Sequence, residues 1–188
     1  VSVIAGQGDV STLVTEHAAL KAAGVDVIKT ASGALTLTKA NFDSITSGAT
    51  GLGFSAGDQI TVSGSAANIA SILADSSYVG KVSALLCTDS AGLSLSLSDF
   101  NSARLNYSFA SGQSLAVSFS DNDLLSLRNN LAVYKAAGMT TVTVATTAGT
   151  NAYANELALD DVNTILASGL KIASAASGSE TQGEYKRS

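Results

Sequence analysis

The sequence predicts an α/β fold: a repetitive, parallel β-solenoid-like stack with helices, in about three units of roughly 52–60 residues. Two observations carry this. First, three stretches, 11–24, 66–80 and 124–138, each read as an amphipathic helix that stops at a glycine and runs into a strand-like segment. Aligned on Gly24, Gly80 and Gly138, which lie 56 and 58 residues apart, their columns agree. Helix-capping residue types open them at Asp9, Ser65 and Asp123; Leu13, Ile69 and Leu127 share one column, and His17, Leu73 and Leu131 the next. Second, the 188-residue chain is 46 % hydrophobic but only 5 % aromatic, and it has no proline or tryptophan. Its core must be built from small and branched aliphatic side chains, which suits a narrow slot repeated layer by layer.

Residues 1–5 alternate and predict a strand. The turn 6–9 follows, with Asp9 placed to accept N–H groups of the first helix. Leu13, His17 and Leu20 fall on one helical face, and Gly24 supplies the left-handed stop. Strands are predicted at 25–30 and 34–38, then a helix over 39–47 capped by Thr38, a glycine-rich turn over 48–57, and a closing strand at 58–63. The second unit has the same order. Its long helix carries Ile69, Ile72 and Leu73; strands follow at 81–88 and 92–98, Ser98 caps a helix over 99–105, and 114–120 closes the unit. In the third, Leu124, Leu127, Leu131 and Tyr134 mark the helix and 139–147 the first strand. Leu157 and Leu159 match Leu35 and Leu37, and Leu95 and Leu97; Asp160 takes the cap position, and 170–173 is the last strand.

These assignments give one repeat domain over 1–176, with units at about 6–63, 64–120 and 121–176, and a flexible polar tail over 177–188. Each unit has three strands and two helices, with equivalent strands of successive units expected side by side. Residues 147–156 read as an insertion at one edge. Ala31, Cys87 and Ala145, each seven positions after its glycine, read as one small-residue core column. The first strand looks like the closing strand of a preceding unit, so the ends of the array are expected to expose strand edges and to associate with other copies.

Charged residues are 13 % of the chain, against an average of about 25 %, and the net charge is −5. Ten scattered basic residues form no patch that would neutralise a nucleic-acid backbone. No apolar run is long enough for a membrane helix, so no membrane insertion is expected. One cysteine excludes an intrachain disulfide.

The stretch 64–98, GSAANIASILADSSYVGKVSALLCTDSAGLSLSLS, resembles the tandem repeats of very large secreted bacterial surface proteins, adhesin-like and RTX-associated. The similarity extends to 18–38 and 131–144. The resemblance implies an extracellular or cell-surface location, a structural role and no catalysis. The nonapeptide calcium repeats of RTX proteins are absent here.

The residues that could carry chemistry have plainer readings. His17, the only histidine, sits in a packing column with Leu73 and Leu131. Cys87 sits in a column of alanines. Asp121 and Asp123 are the better metal candidate, for calcium, ahead of the 6–9 turn; no other cofactor is expected. A solenoid lyase would need carboxylates and bases lined up on one sheet face, and Asp58 and Lys81 do not recur in the repeat columns, so no enzymatic activity is expected. The pairs Thr36/Thr38, Ser94/Ser96 and Thr141/Thr143 would suit an ice-binding ladder but also any half-exposed strand. The leading expectation is an extracellular structural protein that self-associates end to end into a filament, sheath or surface layer. The alternative is an adhesin-type module for glycan or a surface, assisted by calcium.

Overall fold

Every strand pairing among the described residues is parallel. The computed structural model describes residues 1–120, 123–144 and 159–174. In chain order these form β1 (Ser2–Ala5), α1 (Val10–Ala22), β2 (Val27–Thr30), β3 (Ala34–Thr38), α2 (Lys39–Thr46), β4 (Gly53–Phe54), β5 (Gln59–Gly64) and α3 (Ala66–Leu73). Then come β6 (Ala84–Cys87), β7 (Leu93–Ser96), α4 (Leu97–Asn106), β8 (Ser108–Phe109), β9 (Leu115–Phe119), α5 (Leu124–Ala136), β10 (Thr141–Val144), α6 (Leu159–Ala167) and β11 (Lys171–Ser174). Three sheets result, in the orders β1-β2-β4, β3-β5-β6-β8 and β7-β9-β10-β11. The protein is thus a mixed α/β molecule with parallel sheets.

Strand alternation decides which side chains form the core. Leu35 and Leu37 of β3 are buried while Ala34, Thr36 and Thr38 are exposed. Leu115, Val117 and Phe119 of β9 are buried in the same way. Thr38, Ser65 and Ser96 then start α2, α3 and α4, each accepting a backbone N–H with its hydroxyl, from Asn41, Asn68 and Asp99 respectively. At the ends of α1 and α5, Gly24 and Gly138 adopt φ of 84° and 101°. Val25 N–H there reaches Leu20 C=O, and Met139 N–H reaches Tyr134 C=O, which satisfies carbonyls of the last helical turn.

Several expectations change. Paired residues are 22 to 26 positions apart, and 30 across β10 and β11, not 56 to 58. Equivalent strands β2, β6 and β10 therefore lie in three different sheets. A parallel neighbour needs only one helical crossover of a dozen or more residues, so pairing occurs at the first opportunity. The short β4 and β8 lie in stretches the sequence reading left as turn or loop, which raises the strands between α1 and α3 to four. The second long helix ends at Leu73, not at Gly80. Asp75 breaks it by accepting Ser77 N–H, and a 3₁₀ turn over Ser76–Tyr78 follows. That detour shifts the next strand by one residue, so Cys87 aligns with Thr30 and Val144, the buried ends of β2 and β10, and not with alanines. Ser96, not Ser98, caps α4, and Asp160 lies inside α6. Asp9 and Asp123 turn their carboxylates backward, accepting Gly6 N–H and Ser120 N–H rather than N–H groups of the helices they precede.

Aromatic residues fill two similar nests under the helices. Phe42, Phe54 and Tyr78 stack with ring centroids 5.4 to 6.0 Å apart. Phe100 packs against Phe109 and Tyr134 at 5.9 and 5.7 Å. Where a strand stops short, a polar side chain takes over its pairing. Asp58 accepts Thr30 N–H at 2.7 Å past the end of β4. The Gln113 amide bonds Cys87 N–H and Leu85 C=O past the end of β8. The Gln7 amide seals the outer edge of β3 by bonding both backbone groups of Thr36, at 2.8 and 2.9 Å.

Candidate association site at the β1 edge

β1 has one bonded side and one open side. Asp26 and Val27 N–H groups donate to Val1 C=O, and Ala31 N–H donates to Ala5 C=O, all from the β2 side. Backbone groups alternate along a parallel strand, so Ser2 and Ile4 direct theirs away from β2. Among the described residues no strand pairs on that side. The same kind of strand elsewhere has both sides used: β5 lies between β3 and β6, and β9 between β7 and β10.

The inward rows expose the gap. Leu37, Val62, Leu85 and Phe109 stand side by side across one sheet. Leu95, Val117, Val142 and Ile172 do so across another. Among the described residues the third row holds Val3, Ile28 and Phe54. Val62 and Val117, flanked on both sides, are fully buried; Val3, flanked on one, is only half-buried. Beside it Ile4 is 68 % exposed, and a groove of about 450 Å³ opens between β1 and α1, its apolar wall formed by Val3, Ile4, Leu13 and Leu20. Such a groove can receive an extended apolar segment; Asp9, Thr12 and Glu16 also line it.

Two other concavities carry lysine side chains. A cleft of about 390 Å³ lies beside the free edge of β4, between the 53–58 corner, Lys81 and Ser83. One of about 540 Å³ lies beside β8, where Lys135 and Lys171 face the 109–114 corner. In the first, Asp58 is already committed to Thr30; in the second, Lys135 donates to Ser168 C=O and Gln113 to the β6 edge.

The residues singled out from the sequence lie partly outside the described residues. Asp121 lies outside the described residues, as do the 147–156 insertion and the 177–188 tail. Asp123 Oδ2 is occupied by Ser120 N–H and Ser120 Oγ, at 2.9 and 2.5 Å. No group of three or more His, Cys, Asp or Glu that could hold a metal occurs among the described residues. His17 is half-buried, as are Leu73 and Leu131 of its column, and its Nδ1 lies 3.0 Å from Val14 C=O. Cys87 is a buried free thiol. Thr36, Thr38, Ser94 and Ser96 are exposed, whereas Thr141 and Thr143 are only half-buried.

One polar cluster among the described residues was not foreseen. Lys39 Nζ lies 2.7 Å from Asp43 and 5.5 Å from the Tyr78 ring centroid, and the Tyr78 hydroxyl donates to Asp43. Hydrogen bonding to Asp43 raises the Lys39 ammonium above its ordinary value, and burial, with the Asp43 contact adding, raises the Tyr78 hydroxyl. The i, i+4 spacing of Lys39 and Asp43 was legible; Tyr78, 35 residues on, was not. The cluster ties α2 to the 76–78 turn, with its charges paired and its ring packed on Phe42. No helix among the described residues is long and apolar enough to cross a membrane. No family model, curated protein or solved structure matches the chain.

Proposed function

We propose that this chain is an extracellular structural repeat protein, a solenoid-like stack that self-associates end to end into a filament, sheath or surface layer. In this reading each coil is strand, corner, strand and helix, and two coils make one of the three units of about 52–60 residues. The steps of 22 to 26 residues between paired strands support the stack. The observation that carries the function is the open apolar end: the exposed Ile4, the half-buried Val3 and the groove beside them. An unpaired edge strand with an apolar flank is a template for another chain. The extracellular location follows from the resemblance to secreted bacterial surface repeats.

Sedimentation velocity over a wide concentration range, with negative-stain electron microscopy, tests this. The expected result is concentration-dependent polymers one molecule wide, with and without a calcium chelator. A chain that stays monomeric throughout would overturn the proposal. The adhesin-type alternative is favoured by the cleft holding Lys135 and Lys171. It predicts a monomer that binds an anionic polysaccharide saturably and loses that binding in a Lys171→Ala variant.

A further inference from the structure

We infer that the two ends of this molecule carry the two halves of a third apolar nest, and that Leu20 on α1 of a second copy closes the half formed by α6 and β11. This rests on the end-to-end reading above and names its joint. Each interior nest has three parts. The first is the fourth residue of a short helix, Phe42 of α2 or Phe100 of α4. The second lies on the strand after that helix, Phe54 of β4 or Phe109 of β8. The third, Tyr78 or Tyr134, belongs to the next long helical segment along the chain, which stops at Gly80 or Gly138.

The first two parts recur at α6 and β11. Val162 is the fourth residue of α6, and Ile165 is buried in the place of Ile45 and Ala103. Ile172 pairs with Val142 as Phe54 pairs with Ile28 and Phe109 with Leu85. Among the described residues no helical segment follows β11 to supply the third part. Val162 is half-buried, whereas Phe42 and Phe100 are 2 % and 0 % exposed. Leu166, in the place Arg104 takes in α4, is 53 % exposed. Arg104 itself lies over the Tyr134 ring, 5.7 Å from its centroid. An apolar side chain thus stands in solvent at α6 where its counterpart touches the next long helix.

The third part is present at the other end. Helices α1 and α5 are both 13 residues long. They stop with the same carbonyl bond, Val25 N–H to Leu20 C=O and Met139 N–H to Tyr134 C=O. Leu20 therefore holds the place of Tyr134, as Leu13 holds that of Leu127, and both Leu13 and Leu127 are buried. Among the described residues no α-helix precedes α1 to pack on Leu20. Leu20 is half-buried on the wall of the groove beside β1, where Tyr134 is 2 % exposed. The change from aromatic to branched aliphatic falls on Leu20, Val162 and Ile172 together. One end offers what the other accepts, so the contact is heterologous and repeats head to tail from copy to copy.

The test uses full-length chains in a Cys87→Ser background. One carries Leu20→Cys and the other Leu166→Cys, and they are mixed and treated with a short bis-maleimide. A cross-linked heterodimer is expected well above the homodimer of either chain alone. Leu166→Asp should weaken self-association about tenfold or more in sedimentation velocity, with circular dichroism unchanged. Leu105→Asp, at a leucine 78 % exposed on α4, should leave association as it is. Polymers that form without the heterodimer would overturn the joint and leave the self-association reading standing. Absence of both polymer and heterodimer would overturn both. An equal loss from Leu105→Asp would place the contact on the flank of the stack and overturn the joint. A Leu166→Asp chain that polymerises normally but unfolds at lower urea would show the half-nest closed within one chain, and would overturn the second-copy assignment.

Discussion

Tyr78 shows how a single hydroxyl links two elements. Its ring lies 5.4 Å from Phe42, and its O–H donates to Asp43, which also holds Lys39. Burial raises its folded-state pKa above the unfolded value, so the folded state keeps the proton longer. That stability is fully present below about pH 10 and is lost as pH rises through the folded value. Tyr78→Phe should cost about 1–2 kcal/mol at neutral pH and make the alkaline loss shallower, as read by urea unfolding in both ranges. Tyr107, also raised by burial, keeps part of the slope. An unchanged alkaline slope in the variant would count against Tyr78 as the titrating group. Gln113 acts through backbone alone. Gln113→Ala should cost about 1–3 kcal/mol, because Cys87 N–H loses its partner while Leu85 C=O keeps only Ala110 N–H, and should speed hydrogen exchange at the Cys87 amide. Neither role was legible, because each joins residues more than 20 positions apart whose identities carry no local signal.

At the scale of elements, the boundary between β7 and α4 separates pattern from structure. The run Ser94-Leu95-Ser96-Leu97-Ser98 offers a hydroxyl at every second position, so alternation alone does not choose the cap. Phe100 chooses it. It is fully buried against Phe109, four residues after Ser96, as Phe42 is four residues after Thr38. Ser96→Ala should therefore cost about 1 kcal/mol in chemical denaturation. Ser98→Ala should stay within about 0.5 kcal/mol. The reverse ranking would restore the longer strand. The helix expected over 66–80 failed for a related reason: its apolar spacing continues to Tyr78, but Asp75 offers a competing side-chain bond to Ser77 N–H. By contrast α1, β3 and α5 were legible nearly to the residue: apolar spacing and a terminal glycine agree for the two helices, although Asp9 and Asp123 do not cap them, and strict alternation marks the strand.

At the scale of the molecule, what is exposed depends on what lies next door. Val3, Val62 and Val117 have the same residue type and strand position, and only Val3 is left half-buried. If that end is an association surface, Val3→Lys should leave the fold intact, because the lysine stem can lie along the groove with its ammonium in water. The same change should abolish polymers in sedimentation. A Val3→Lys chain that still polymerises would place the joint elsewhere. That residues 1–5 form a strand was legible from their alternation; which strand flanks it was not, since that requires the sheet registers.

By itself the sequence determined the helices that stop at Gly24 and Gly138, the caps Thr38 and Ser65, the alternating strands and the inward leucines. Each of these is set by groups within a few residues of one another, so local periodicity and backbone conformation suffice. The tertiary structure decided which strands are neighbours, where Asp58, Gln7 and Gln113 stand in for missing strands, and that the row through Val3 ends there among the described residues. Those outcomes depend on backbone bonds formed across 22 to 26 residues, and nothing in a strand's own side chains says which edge will meet it.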